Sequence, residues 1–84
     1  MQEEARREIE RVKDFLPQLK LVDSQGQDIL KLINSYFEDA QHFYKEGKFV
    51  QAFEAAVMCW TYADAGLHMK IFTIPDNLRN MFTV

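Results

Sequence analysis

At 84 residues, with 48% hydrophobic, 27% charged and 13% aromatic side chains, the chain has the composition of one small folded domain spanning 1–84, not of a disordered segment. Ten basic against 13 acidic residues leave a formal charge of -3, which supplies no electrostatic footprint for nucleic acid or for an anionic membrane. A single cysteine, Cys59, excludes an intrachain disulfide and fits a reduced, cytoplasmic setting.

The opening residues, MQEEARREIERVKD, alternate acid and base and lack the apolar core of a signal peptide. No run approaches the roughly 18 apolar residues of a membrane span, so the expectation is a chain neither exported nor inserted. Ala5, Ile9, Val12, Leu16 and Leu19 keep four-three spacing among charged neighbours, which predicts a first helix over 3–14 with one narrow buried stripe. Glu3 with Arg7, Glu4 with Arg7, Glu8 with Arg11 and Glu10 with Lys13 place acid before base, each pair adding about 0.2–0.5 kcal/mol. Residues 1–20 balance five bases with five acids, so this stripe is no arginine face for nucleic acid. Pro17 should end or kink the helix near 14–16.

Ser24 and Gln27 have the spacing of a capping box, and a second helix is expected over about 25–46. Ile29, Ile33, Tyr36, Ala40, Phe43 and Gly47 form one row of it, and Leu30, Phe37 and Tyr44 a second, so its apolar surface is broad enough for two neighbours. Gly47 suits the left-handed residue that closes a helix, and so short a turn forces the next helix antiparallel. That third helix, about 48–69, carries Phe49, Phe53, Ala56, Trp60, Ala63 and Leu67 on a four-three row. A row of small residues, Ala52, Ala55, Ala56, Cys59, Ala63 and Gly66, runs next to the Phe49, Phe53, Trp60 and Leu67 row and lets backbones come close. Trp60 is expected as a core anchor. Tyr36, Ala40, Phe43 and Ala52 also match the aromatic and small positions of one tetratricopeptide-type hairpin, without a second copy to stack on. Beyond Lys70, Thr73, Pro75 and Asp76 could start a single helical turn holding Leu78, Met81 and Phe82, in a tail too apolar to be left in water.

The fold expected is all-α: a three-helix up-and-down bundle with a tetratricopeptide-like hairpin and a short apolar C-terminal tail. Tyr36, Asp39, Ala40, Phe43, Gly47 and Ala52, followed by Tyr62, Ala63, Asp64, Ala65 and Gly66, resemble the pattern of a short archaeal family catalogued as a domain of unknown function. The resemblance covers about residues 28–72, with Tyr62 standing where the pattern has Trp. It implies the same three-helix bundle and brings no established activity, substrate or cofactor with it.

Few residues carry chemistry. Glu38, His42 and Glu46 fall at i, i+4 and i+8, a spacing compatible with metal ligands but better read as a solvated face, since one helix face supplies only two adjacent ligands well and His68 lies roughly 22 Å further along the bundle at 1.5 Å per residue. Cys59 sits among alanines as a small hydrophobe. Asp64 falls where the third helix passes from core to surface beside Trp60, Leu67 and Ile71, so it needs a partner, and Lys31 on the second helix is level with it. Asp39 is similar but more exposed, and roughly 13 Å along the axis separates the two acids, too far for paired-carboxylate hydrolysis. Asp64, Asp39, Tyr62 and Tyr36 are therefore the residues singled out for a contact or structural role, with no catalytic, metal or cofactor residue expected. The chain reads as a non-enzymatic interaction or oligomerisation module, with a homodimer or another protein as partner. The alternative is a small-ligand binder with a pocket among Tyr36, Phe53, Trp60 and Tyr62.

Overall fold

A computed structural model describes residues 1–84, and the chain is predominantly helical: α1 (Gln2–Phe15), α2 (Gln27–Lys45) and α3 (Phe49–His68) pack against one another. The all-α class holds. Sixteen buried side chains form one core cluster, and none of them is charged. Two short features were not foreseen. Strands β1 (Lys20–Leu21) and β2 (Phe72–Thr73) pair antiparallel, Lys20 with Thr73 and Leu21 with Phe72, tying the α1–α2 connection to the tail. The tail then forms a six-residue 3-10 helix, Asp76–Met81, where a single turn was expected.

The buried stripe of α1 is Ala5, Ile9, Val12 and Phe15. Phe15 takes the place expected of Leu16, because α1 gives way to a 3-10 turn at Leu16–Gln18, with Pro17 in it, and Leu16 is turned half out. Of the expected ion pairs, Glu8 with Arg11 and Glu10 with Lys13 form, whereas Glu3 pairs with Arg6 and Glu4 with the Met1 amine, neither of them with Arg7. The Arg6 guanidinium, bonded to Glu3, holds that carboxyl below the ordinary range of a glutamate. Helix α2 starts later than expected, after a 3-10 turn at Ser24–Gly26. The expected Ser24 and Gln27 box does not form there. Asp23 caps the 3-10 turn, its Oδ1 accepting from the Gln25 N–H at 2.9 Å, and α2 itself follows Gly26 without a side-chain cap.

Helices α2 and α3 lie antiparallel. Tyr44 meets Phe49 edge to face at 5.2 Å beside the turn, and further along the Cys59 thiol donates to the Ile33 carbonyl at 3.3 Å. The contact depends on the small-residue row, since Ala52, Ala55, Ala56, Cys59, Ala63 and Gly66 are all buried. This row, and not the aromatic one, is the core face of α3. Phe53 and Trp60 are only half-buried, so Trp60 flanks the core and does not anchor it.

Both long C-termini close in the same way. At the end of α2 the Lys48 N–H bonds to Phe43 O at 2.9 Å and the Gly47 N–H to Tyr44 O at 3.1 Å, with Gly47 at φ 77. At the end of α3 the Ile71 N–H bonds to Gly66 O at 3.1 Å and the Lys70 N–H to Leu67 O at 3.2 Å, with Lys70 at φ 62. These paired bonds satisfy carbonyls left over by the helix and require a left-handed residue, ordinarily glycine.

Candidate functional site

The polar residues of most interest gather where α3 meets the tail. Asp64 and His68 are one turn apart on α3, and both face Thr83. Asp64 Oδ1 accepts from the Thr83 backbone N–H at 2.9 Å and Oδ2 from the Thr83 hydroxyl at 2.7 Å. His68 Nε2 lies 2.5 Å from Thr83 Oγ1. Because the single hydroxyl proton is directed at Asp64, the oxygen accepts from Nε2–H, and the three side chains form a chain of donors running from His68 through Thr83 to Asp64. The partner of Asp64 is thus the tail hydroxyl and amide, and not Lys31, which is exposed elsewhere on α2.

A second set of contacts fixes the tail above α1 and α3. Met81 O accepts from the Trp60 indole N–H at 2.8 Å and from Arg11 Nη2 at 3.3 Å. Arg11 also stands 5.6 Å above the Trp60 ring, a cation–π distance. Phe82 stacks on Trp60 at 6.2 Å and meets Phe15 edge-on at 5.0 Å. The half-buried tryptophan was legible as an aromatic on the row; its polar bond to the tail was not.

Below the Asp64–Thr83 contact a depression of about 420 Å³ opens between the end of α3 and the tail. Val22 and Val84 line it with exposed apolar surface over the buried Leu67, Phe72 and Ile74, and Lys70 and Arg79 line it with positive charge beside the His68 ring; no acidic side chain lines it. Sequence reasoning missed it, because its members come from the α1–α2 connection, the end of α3, β2 and the tail, segments separated by turns. The one available signal was local: a lysine directly after the end of a helix, where glycine is the usual residue.

The remaining expected residues are dispersed. Tyr36 and Tyr62 do meet, stacked at 6.0 Å with 16° between their planes, but Phe53 lines a surface depression with Glu4, Arg7, Glu8 and Arg11, away from the other three aromatics, so the residues expected to share a pocket are not gathered around that depression. Asp39 is exposed on α2 beside Glu38 and His42 and is not brought to Asp64. His42 approaches Glu46 at 3.5 Å on the solvated face, and no three His, Cys, Asp or Glu side chains gather as a metal group. Cys59 is buried, and desolvation pushes its thiol up to about 12, which makes it a poor nucleophile.

The fold and this arrangement define a small helical protein with no helix long and apolar enough to cross a membrane. Residues 2–72 match the model of the family described as "Protein of unknown function (DUF357)", and the chain belongs to that family. The match extends through α1, beyond the stretch in which the resemblance was legible. The crystal structure of protein AF1782 from Archaeoglobus fulgidus, assigned to the same family, superposes with a TM-score of 0.78 at 23% identity, over 88% of this chain and 92% of that one. That likeness shows the fold. No curated protein matches the chain.

Proposed function

We propose that this chain is a cytoplasmic interaction module that assembles as a homodimer through the face where α1 and α2 diverge. Architecturally we read it as a three-helix up-and-down bundle whose α2–α3 hairpin is tetratricopeptide-like, with the tail as a fourth, non-repeating cover. The observation that carries the proposal is a groove of about 360 Å³ on that face, with Leu16, Pro17, Leu19, Leu30 and Phe37 among its lining residues. The second apolar row of α2 is too broad for the narrow stripe of α1, so Leu30, Phe37 and Tyr44 stay half-buried. Contiguous apolar surface of this kind marks an association site, and a two-fold dimer would place the same patch of each copy on the other.

The proposal is non-enzymatic. The Thr83 hydroxyl proton is committed to Asp64, leaving His68 to donate to Thr83 rather than to act as its base. The Cys59 thiol is buried and protonated. A dilution series of ¹H–¹⁵N spectra tests the dimer: amide shifts that move with concentration should map to 16–19 and 30–37. Concentration-dependent shifts confined to another face, or none, would overturn the assignment.

A further inference from the structure

We propose that the depression at the end of α3 is a binding site for an amphiphilic organic anion, a molecule with one carboxylate or phosphate head on an apolar body. Its size, about 420 Å³, lies in the range of small-molecule sites. Its chemistry is two-sided: Val22 and Val84, 64% and 38% exposed, present apolar surface beside the buried Leu67, Phe72 and Ile74, and Lys70 and Arg79 present cations that form no ion pair with any acid of the chain. In a protein whose formal charge is -3, two unpaired cations on an apolar wall free of acids form a local reversal of sign. His68 also lines the depression, but its Nε2 is engaged by Thr83 Oγ1 and stands 3.9 Å from Asp64 Oδ1.

The backbone at Lys70 supports this independently. It is the only residue other than glycine with positive φ, at 62, in a position that glycine fills at the end of α2. A cation near a helix C-terminus is favourable to the dipole, but Met69, 70% exposed and at φ -80, would offer the same benefit to a lysine without strain. Conformation therefore does not explain lysine at 70, whereas its place in the lining of the depression does. Strained backbone of this kind concentrates at functional sites. Arg79 reaches the same depression from the 3-10 helix, and its planar fork suits either a carboxylate or a phosphate.

The test is titration of the full chain with octanoate and with octyl phosphate, followed by ¹H–¹⁵N spectra, with octanol and inorganic phosphate as controls. Saturable shifts at Lys70, Phe72, Ile74 and Arg79 are expected with at least one of the two amphiphiles, and the tighter of them identifies the head group. Octanol and inorganic phosphate should each bind at least about tenfold more weakly, having one half of the recognition only. Lys70→Gly should weaken binding about tenfold while raising the melting temperature, a combination that a damaged fold cannot give. Arg79→Gln should weaken it similarly. No saturable shift below ~10 mM, octanol binding as tightly as octanoate, or unchanged affinity in Lys70→Gly would each overturn the proposal.

Discussion

Lys70 closes α3 in the left-handed conformation in which Gly47 closes α2, at φ 62 and 77 respectively, each with the same pair of backbone bonds. One position is filled by the residue that conformation favours and the other is not. Replacing Lys70 by glycine should stabilise the fold by about 0.5–1 kcal/mol, and Gly47→Ala should destabilise it by about 1 kcal/mol. No atom lies within 4 Å of a Cβ built at Gly47, so the second effect is a backbone effect alone. Thermal melts check both, with shifts of opposite sign and roughly 4–8 °C per kcal/mol for a domain this small.

Gly66 is needed for a different reason. A Cβ there would stand 2.2 Å from Phe72 Cδ2 and 2.5 Å from its Cε2, and Phe72 is only 3% exposed. Gly66→Ala should cost about 1–3 kcal/mol by overpacking. A double-mutant cycle with Phe72→Leu, read by urea denaturation, should recover part of that loss; fully additive effects would place the clash elsewhere.

The tail should come off in stages. Asp64→Ala removes the acceptor of both Thr83 bonds and should cost about 1–2 kcal/mol, because the carboxylate is well covered while Thr83 is exposed. Trp60→Phe keeps the stacking on Phe82 but loses the indole bond to Met81 O, at about 1 kcal/mol. Amide exchange in residues 76–83 should accelerate in both variants while that in α2 stays slow. Equal acceleration throughout the chain would show that the tail is not separable from the helices.

Cys59 should be unreactive in the native chain. With its thiol pushed up to about 12, almost no thiolate exists at pH 8, so iodoacetamide should modify it only after denaturant is added. Rapid native-state alkylation at pH 8 would mean the thiol is reached from solvent.

The helices were legible in the sequence because their signals are local. Four-three spacing, Pro17 and Gly47 set the ends of α1, α2 and α3 to within a residue or two. The choice of core face on α3 was not legible, since Trp60 and Phe53 outweigh alanine in any hydrophobicity count, while the space between α2 and α3 admits only small side chains. Phe15 was missed because the bend at Leu16–Gln18 shifts the stripe by one position. Asp64 was recognisable as an acid in need of a partner, but the partner came from the tail, 19 residues on, where no periodicity points. The pairing of β1 with β2 joins two-residue segments too short to show alternation.

The groove between α1 and α2 is where two copies are proposed to meet, and sedimentation equilibrium of the unmodified chain tests that most directly. From micromolar to millimolar concentration the weight-average mass should rise from 9.9 kDa toward that of a dimer, and Phe37→Lys, in the groove, should hold it at the monomer value. A single species of 9.9 kDa for the unmodified chain across the whole range would contradict the account.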